Sequence, residues 1–161
     1  MRECKEDWGL AIAKLVATRS TCARRNVGCV LVDHKHRILA TGYNGVASGQ
    51  PHCNEGHPCP GATAPSGTKL DACYALHAEQ NALLQCRNPD AINTCYCTTA
   101  PCMTCTKLLL NTSCQRILFL EGYPDACEAG QLWEGDKRIW QPFEVERIAR
   151  IFMDQYRCCL E

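Results

Sequence analysis

The number of cysteines constrains this chain more than any other feature of its sequence. Cysteine occupies 15 of the 161 positions, a density typical either of a secreted disulfide scaffold or of an intracellular protein that binds metal through thiolates. The count is odd, and the charged stretch Met1–Asp7 contains no apolar segment of the kind found in signal peptides. Several cysteines also lie in apolar runs, where a reduced thiol behaves as a small hydrophobic side chain. We therefore expect a reduced, cytoplasmic protein in which some cysteines bind metal.

Length and charge exclude several broad classes of protein. The composition, 46% hydrophobic and 21% charged over 161 residues, suits one globular domain. Seventeen basic residues balance seventeen acidic ones, so the chain has no overall field with which to hold a long nucleic acid. Its longest apolar runs are far shorter than a membrane span. We expect a single domain over residues 1–161 that binds neither a membrane nor a long nucleic acid, although a few local cations could hold a small charged ligand.

Hydrophobic periodicity predicts an alternation of strands and helices. The predicted elements are a helix over 5–18, strands over 27–32 and 37–43, a helix over 72–86, a strand over 94–98, a helix from Pro101 to about Asn111, a strand over 116–120 and a last helix within 142–156. This order indicates an α/β domain layered around one sheet.

Two segments do not fit that alternation. The segment from about residue 45 to residue 73 is rich in glycine and proline and almost free of aliphatic side chains. This composition predicts a long loop that requires a stabilising interaction other than a hydrophobic core. Beyond Gly122 the periodicity weakens. We assign the residues from about 124 to 161 to the same domain, as a divergent segment that could cap the sheet or make subunit contacts.

Two short motifs carry the chemistry. The tripeptide His-Ala-Glu ends at Glu79, and the pentapeptide Pro-Cys-Met-Thr-Cys ends at Cys105 after 21 intervening residues. Cys102 and Cys105 are three residues apart, so both thiolates leave one face of a helix, in a first turn whose dipole favours negative sulfur. His77, on the preceding predicted helix, would be a third ligand.

Three protein ligands leave one position of a tetrahedral zinc ion open for water, as in catalytic sites. Zinc lowers the pKa of such a water to about 7, and Glu79 could take its proton and return it to a substrate. A closed Cys₃His zinc knot, or core cysteines without metal, is the alternative. The two motifs together are more specific than either one, because they match the signature of zinc nucleobase deaminases.

With these motifs the chain resembles the zinc-dependent cytidine and deoxycytidylate deaminases, most of all the deoxycytidylate (dCMP) enzymes. The resemblance covers about residues 18–123 and is carried by the segments 19–24, 27–32, 42–45, 77–82 and 101–105. It implies a three-layer α/β/α fold with one mixed sheet of about five strands, usually assembled as a homohexamer. It also implies hydrolytic deamination of dCMP to dUMP and ammonia, activated by dCTP with Mg²⁺ and inhibited by dTTP, which would supply dUMP for thymidylate synthesis.

The resemblance assigns roles to individual residues. His77, Cys102 and Cys105 would hold the zinc, and Glu79 would move the protons. Asn44, in a Gly-Tyr-Asn-Gly tetrapeptide, would hydrogen-bond the nucleotide through its amide. The other interpretation of Asn44 is a turn-forming residue before a glycine.

Further residues are assigned to the substrate. Arg24 would pair with the 5′-phosphate, for which a guanidinium is well shaped. Arg25 is its substitute, and a solvated surface arginine is the other interpretation. Tyr123 would close over the substrate or else fill the core as a half-buried aromatic side chain, and Ala78 would contact the substrate.

Four more cysteines form a second hypothesis. Cys22, Cys53, Cys59 and Cys73 remain after the motif cysteines are removed, and three of them bracket or lie within the loop. Some bacterial and phage dCMP deaminases that the chain resembles carry an additional structural zinc at equivalent positions. Four thiolates would close a tetrahedron and hold the loop. His52 and His57 are alternates for one ligand, and free thiols are the other interpretation.

Other functions compete with this hypothesis. A tRNA adenosine deaminase shares the fold and zinc set, but such enzymes usually have glutamate before the Pro-Cys motif and a shorter link between the asparagine and histidine. Here Ala100 precedes the motif, and 32 residues separate Asn44 from His77. A free cytidine deaminase would have no phosphate for Arg24. A non-catalytic zinc module would not require Glu79.

Overall fold

Five helices and seven strands form the regular structure of the described residues, which are 3–65, 68, 72–123 and 126–157 of this computed structural model. The helices are α1 (Lys5–Ala17), α2 (Ala78–Gln85), α3 (Met103–Leu110), α4 (Ala126–Glu134) and α5 (Val145–Arg157). The strands are β1 (Gly28–Val32), β2 (Ile38–Tyr43), β3 (Gly45–Val46), β4 (Ala75–Leu76), β5 (Thr94–Thr99), β6 (Arg116–Glu121) and β7 (Ile139–Pro142). A 3₁₀ turn, Pro89–Ala91, precedes β5.

Five of the strands form one mixed sheet in the order β2-β1-β5-β6-β7. Strand β1 runs antiparallel to both β2 and β5, whereas β5, β6 and β7 are mutually parallel. Strands β3 and β4 form a separate two-stranded ribbon. The prediction of one mixed sheet of about five strands is confirmed. No helix in the described ranges is both long and apolar enough to cross a bilayer.

Side chains alternate between two cores, one on each face of the sheet. Leu31 and Ile117 belong to the core that contains buried residues of α2, α3 and α4. Val30 and Leu118, their neighbours along the same strands, belong to the core beneath α1 and α5. Because successive residues of a strand point to opposite faces, the apolar runs of β1 and β6 are buried on both sides. The three-layer α/β/α fold is thereby confirmed.

Two glycines seat helices closely against the sheet. A Cβ on Gly42 of β2 would meet the backbone of α2 at Ala78 and Ala82. A Cβ on Gly28 of β1 would meet the backbone of α1 around Ala13. The first contact fixes the start of α2, which lies at the functional site described below.

The second predicted helix begins later than the sequence indicated. Residues 75–76 pair with Gly45 and Val46 as the β3–β4 ribbon, so helix α2 starts at Ala78 and His77 is its N-cap. The backbone N–H of His77 donates to Oε1 of Gln80 at 2.8 Å, as one half of a capping box. Placing His77 on a helix was therefore wrong. It stands immediately before one.

The segment beyond Gly122 completes the same sheet. Strand β7 pairs in parallel with β6, from Arg116 opposite Ile139 to Phe119 opposite Pro142. Helix α4 covers it, and the buried Trp133 donates its indole N–H to the Ile139 carbonyl at 3.0 Å. The predicted last helix is α5. Helix α4 and strand β7 were not predicted.

Candidate active site

Two helix N-termini meet at one point of the molecule. His77 is the N-cap of α2, Cys102 is the N-cap of α3, and Cys105 lies in the first turn of α3. The Sγ atoms of Cys102 and Cys105 each lie 3.4 Å from Nδ1 of His77. Cys105 is fully buried and Cys102 nearly so. The structure therefore brings together the three predicted metal ligands.

The spacing of these three atoms fits a zinc ion. Zn–S bonds of about 2.3 Å and Zn–N bonds of about 2.0–2.1 Å at tetrahedral angles separate nitrogen from sulfur by about 3.6 Å, close to the 3.4 Å observed here. Among the described residues, the group of His77, Cys102 and Cys105 includes no fourth His, Cys, Asp or Glu ligand atom. This favours a three-ligand site over the closed Cys₃His alternative.

The electrostatics of the group place negative charge on sulfur. A hydrogen bond from the Cys105 thiol and the neighbouring imidazole of His77 lower the pKa of Cys102 to about 4, against the effect of burial. The Cys102 sulfur in turn raises the pKa values of Cys105 and His77. A thiolate is the form that binds metal, so the site is prepared for a cation.

Glu79 lies in the first turn of α2 and is 3% exposed. Burial raises the pKa of its carboxyl group to about 7, and the neighbouring His77 opposes part of that rise. The carboxyl group does not belong to the three-ligand group. A carboxyl group that titrates near neutral pH can both accept and donate a proton, as general acid–base catalysis requires.

A cleft opens beside this group, and most of the predicted site residues line it. It is lined by Cys22, Arg24, Arg25, Val27, Asn44, Cys73, Ala75, His77, Ala78, Glu79, Thr99, Ala100, Cys102 and Tyr123. All four predicted substrate residues are in this set. Tyr123 also packs against the core on the α2 side, so both interpretations of this residue describe part of its surroundings.

The Asn44 side chain holds the segment that carries the two arginines. Its Oδ1 accepts hydrogen bonds from Ser20 Oγ at 2.6 Å and from the Val27 backbone N–H at 2.7 Å. Its Nδ2 donates to the Arg25 carbonyl at 2.8 Å. Asn44 follows β2 directly and is 8% exposed. The structure thus gives it a supporting role at the cleft wall and does not make it a hairpin turn.

The two arginines have different partners. Arg24 Nη1 donates to the carbonyls of Gly61 and Thr68, at 3.0 and 3.1 Å, so it ties the cleft to the long loop. Arg25 Nη2 lies 3.6 Å from Oε2 of Glu121. Its buried Nη1 has no hydrogen-bond partner within the part of the chain that the structure describes. Both side chains line the cleft and are half-buried.

Three of the four loop thiols (Cys22, Cys53, Cys59 and Cys73) form a chain of sulfur contacts. The Sγ atoms of Cys53 and Cys59 are 3.8 Å apart, and those of Cys59 and Cys73 are 3.9 Å apart. Burial, with the nearby sulfurs of Cys59 and Cys22, raises the pKa of Cys73. None of the cysteines in the described ranges forms a disulfide. Cys22 is linked to them only by the effect of its sulfur on the pKa of Cys73, and among the described residues these thiols do not form a group whose ligand atoms all lie within 4.8 Å of one another.

Some features of the site were missed. Thr99 and Ala100 line the cleft where β5 ends, just before the Pro-Cys motif, and their position before that motif was an available signal. Outside the cleft, the close approach of Cys29 to Cys95 and Cys97 was also missed. The order of the strands in the sheet explains this contact. Strand β1 pairs with β5, and no local pattern in the sequence between them predicts that pairing.

The sequence of this chain is similar to those of known proteins. A family model described as "Cytidine and deoxycytidylate deaminase zinc-binding region" matches residues 4–121. The deoxycytidylate deaminase of Schizosaccharomyces pombe is 40% identical over 122 residues, which are 73% of this chain and 37% of that protein. The deoxycytidylate deaminase of Mycobacterium phage D29 is 36% identical over 126 residues, covering 71% of this chain and 95% of the phage protein. The chain thus spans under two fifths of the fission yeast relative.

A solved structure agrees with the sequence relatives. The crystal structure of the dCMP deaminase from the cyanophage S-TIM5, in complex with dCMP and dUMP, superposes with a TM-score of 0.69 at 26% identity. The match covers 88% of this chain and 98% of the phage chain. Fold, zinc-ligand geometry and sequence relatives agree, and this chain belongs to the cytidine and deoxycytidylate deaminase zinc-binding family.

Proposed function

We propose that this protein catalyses the zinc-dependent hydrolytic deamination of dCMP to dUMP and ammonia. The observation that carries the proposal is the placement of a buried carboxyl group, Glu79, beside a three-ligand set of His77, Cys102 and Cys105 at one cleft. A purely structural zinc site has no use for such a carboxyl group. The names of the relatives, deoxycytidylate deaminases from yeast and phage, support dCMP as the substrate.

In the proposed reaction the oxygen of water replaces the amino group on C4 of cytosine. Zinc, when bound by His77, Cys102 and Cys105, supplies a Lewis acid that activates a water molecule. The Glu79 carboxylate takes a proton from that water and delivers it toward the pyrimidine. The water oxygen bonds to C4, and Glu79 takes the second proton from the resulting hydroxyl group and passes it to the amino group, so that the C4–N bond breaks, C4=O forms and ammonia leaves. The near-neutral pKa of Glu79 suits both transfers.

Arg24 and Arg25 are the proposed partners of the 5′-phosphate. Both line the cleft, and a guanidinium binds phosphate through two parallel hydrogen bonds. Arg25 has a buried Nη1 that no described hydrogen bond engages, whereas Arg24 is tied to the loop by two carbonyls. Asn44 holds the arginine-bearing segment in place, and Tyr123 and Ala78 complete the cleft wall.

The loop thiols are proposed to hold a structural zinc. Backbone N–H groups of Tyr74 and Gly61 lower the pKa of Cys59 although burial opposes this effect, and a thiolate so stabilised is a metal ligand. Cys22 and Cys73 also line the cleft. A zinc ion among these thiols would therefore brace one wall of the substrate site.

The remaining properties of the proposal rest on the family resemblance, except for the cytoplasmic location with reduced thiols and the single domain, which rest on the cysteines, composition and length of the chain. They are activation by dCTP with Mg²⁺, inhibition by dTTP, assembly as a homohexamer, a cytoplasmic location with reduced thiols, a single domain over 1–161 and the supply of dUMP for thymidylate synthesis. Each is a property of the intact enzyme in solution and needs its own measurement there.

Replacement of Glu79 tests the chemistry. Glu79→Gln keeps the size of the side chain but cannot shuttle protons, so dCMP turnover should fall by about 100-fold or more. Ultraviolet absorbance follows the loss of dCMP, and the zinc content of each preparation is measured alongside. Glu55→Gln, at an exposed loop position, is the control that should retain turnover. Wild-type-like turnover by Glu79→Gln with zinc bound would remove Glu79 from the mechanism.

A further inference from the structure

A second group of cysteines lies inside the sheet, away from the loop thiols. Cys29 of β1 is paired in register with Cys97 of β5, and Cys95 lies two residues earlier on the same strand. The Sγ atoms of Cys29 and Cys95 are 3.5 Å apart, as are those of Cys95 and Cys97. All three sulfurs lie within 4.8 Å of one another. We call Cys29, Cys95 and Cys97 the core thiol cluster.

The surroundings of this cluster are dry. Each of the three cysteines is 0% exposed and belongs to the core between the sheet and helices α2, α3 and α4. None of them lines the substrate cleft. The cluster also shares no residue with the proposed zinc ligands or with the loop thiols, so the inference below does not rest on the proposed function.

We propose that the core thiol cluster is a trithiolate site for a soft metal ion that accepts three sulfur ligands, of the Cu(I) or Cd²⁺ class. With bonds of the Zn–S length, about 2.3 Å, a planar three-coordinate site would separate the sulfurs by about 4.0 Å. An ion lying out of the sulfur plane brings that separation closer to the 3.5 Å observed. Each thiol that binds the ion releases its proton.

The number and the type of ligands select this class of ion. Among the described residues, no fourth His, Cys, Asp or Glu ligand atom joins Cys29, Cys95 and Cys97, so the tetrahedral set of a structural zinc is incomplete. Thiolates are soft ligands and prefer soft ions. Three sulfurs in an apolar core therefore suit an ion that is stable with three soft ligands and no water.

The core thiol cluster is enclosed by the protein, and this determines how a metal ion would reach it. Strands β1 and β5 are central in the sheet, and α2 packs closely over this region. An ion therefore enters while the chain folds and is retained afterwards. The experiment accordingly supplies metal during refolding rather than to the folded protein.

The test counts bound cadmium. The full-length protein is refolded from denaturant with a reductant and excess Cd²⁺, desalted, and its metal content per chain is measured. The other thiol sites should bind the same amount of cadmium in the wild type and in every variant. The test therefore compares the cadmium content of each variant with that of the wild type. Cys97→Ala and Cys29→Ala should each retain one Cd²⁺ fewer per chain than the wild type. Cys114→Ala removes another fully buried thiol of the same core and should retain the wild-type number.

Two results would overturn the proposal. One is an equal cadmium content in the wild type and both cluster variants, and the other is an equal loss in the Cys114→Ala control. Should the cluster variants fail to refold, crystals of the cadmium-loaded wild type decide. Anomalous density among the three Sγ atoms supports the site, and density confined to other positions contradicts it.

Discussion

The side-chain amide of Asn44 is engaged by the protein at both of its ends. It accepts from Ser20 and Val27 and donates to the Arg25 carbonyl, in a position where water is nearly excluded. Removing a buried polar group of this kind leaves its partners without a hydrogen bond. That loss costs more free energy than the hydrogen bonds contribute on balance to folding. We therefore expect any contribution of Asn44 to substrate binding to be indirect, through the segment that carries the arginines.

Asn44→Ala should lower the free energy of unfolding by about 2 kcal/mol, because the Val27 N–H and the Arg25 carbonyl lose their partners. The loosened segment should also raise the KM for dCMP more than it lowers kcat. Denaturant titration and steady-state kinetics measure the two effects. Asn54→Ala, at an exposed loop position, is the control. Unchanged stability in Asn44→Ala would show that the network is not supporting the cleft.

At the scale of elements, the seating of helix α2 on strand β2 determines where His77 and Glu79 stand. Gly42 allows the helix backbone to approach the strand directly. Gly42→Ala should lower the free energy of unfolding by about 1–3 kcal/mol, the usual cost of overpacking, and reduce zinc retention. Gly122→Ala is a matched control, because nothing lies within 4 Å of a Cβ added there. Equal stability of the two variants would contradict the close seating of α2.

The long loop has little core of its own, and we propose that a structural zinc holds it. Counting the zinc ions bound per chain tests this proposal. Protein prepared with ample zinc should hold two ions per chain, and Cys59→Ser should hold one, with faster proteolysis of the loop. Cys127→Ser removes an exposed thiol and should keep both ions. One zinc per wild-type chain would favour free thiols around the loop.

Two elements that the sequence could not predict were missed for different physical reasons. Strand β4 has two residues, Ala75–Leu76, too few to show any periodicity, and it exists only because β3 lies opposite. Helix α4 buries Ala126, Ala129 and Gly130 beside Trp133, and such small residues produce a weak hydrophobic signal. By contrast, the zinc ligands lie in two short local motifs, so the sequence could be matched to a known zinc signature.

At the scale of the whole molecule, pairing between strands that are distant in the sequence determines contacts that local sequence patterns do not predict. The central strand β5 is reached from β1 across more than 60 residues of chain, and this pairing creates the core thiol cluster. The same closure brings Arg24, Asn44 and Tyr123 to one cleft from distant parts of the sequence. The family resemblance anticipated that convergence, whereas periodicity predicted only the separate strands and helices.

The balance of charge over the molecule also bears on the substrate. With 17 basic and 17 acidic residues, no global field draws in a long nucleic acid. The local cations Arg24 and Arg25 line the cleft and suit a single phosphate group. A mononucleotide is therefore the expected substrate, and the nucleoside should be a poor one.

The most direct measurement is the change in ultraviolet absorbance when zinc-loaded protein is added to dCMP, with deoxycytidine and tRNA assayed in parallel and dCTP with Mg²⁺ present or absent. We expect rapid conversion of dCMP to dUMP. Turnover of deoxycytidine should be small because it has no phosphate for the arginines that line the cleft with Glu79, and turnover of tRNA should be small because the balanced charge provides no field for a long nucleic acid. Absence of dCMP turnover in both conditions, with zinc bound, would contradict the proposed function.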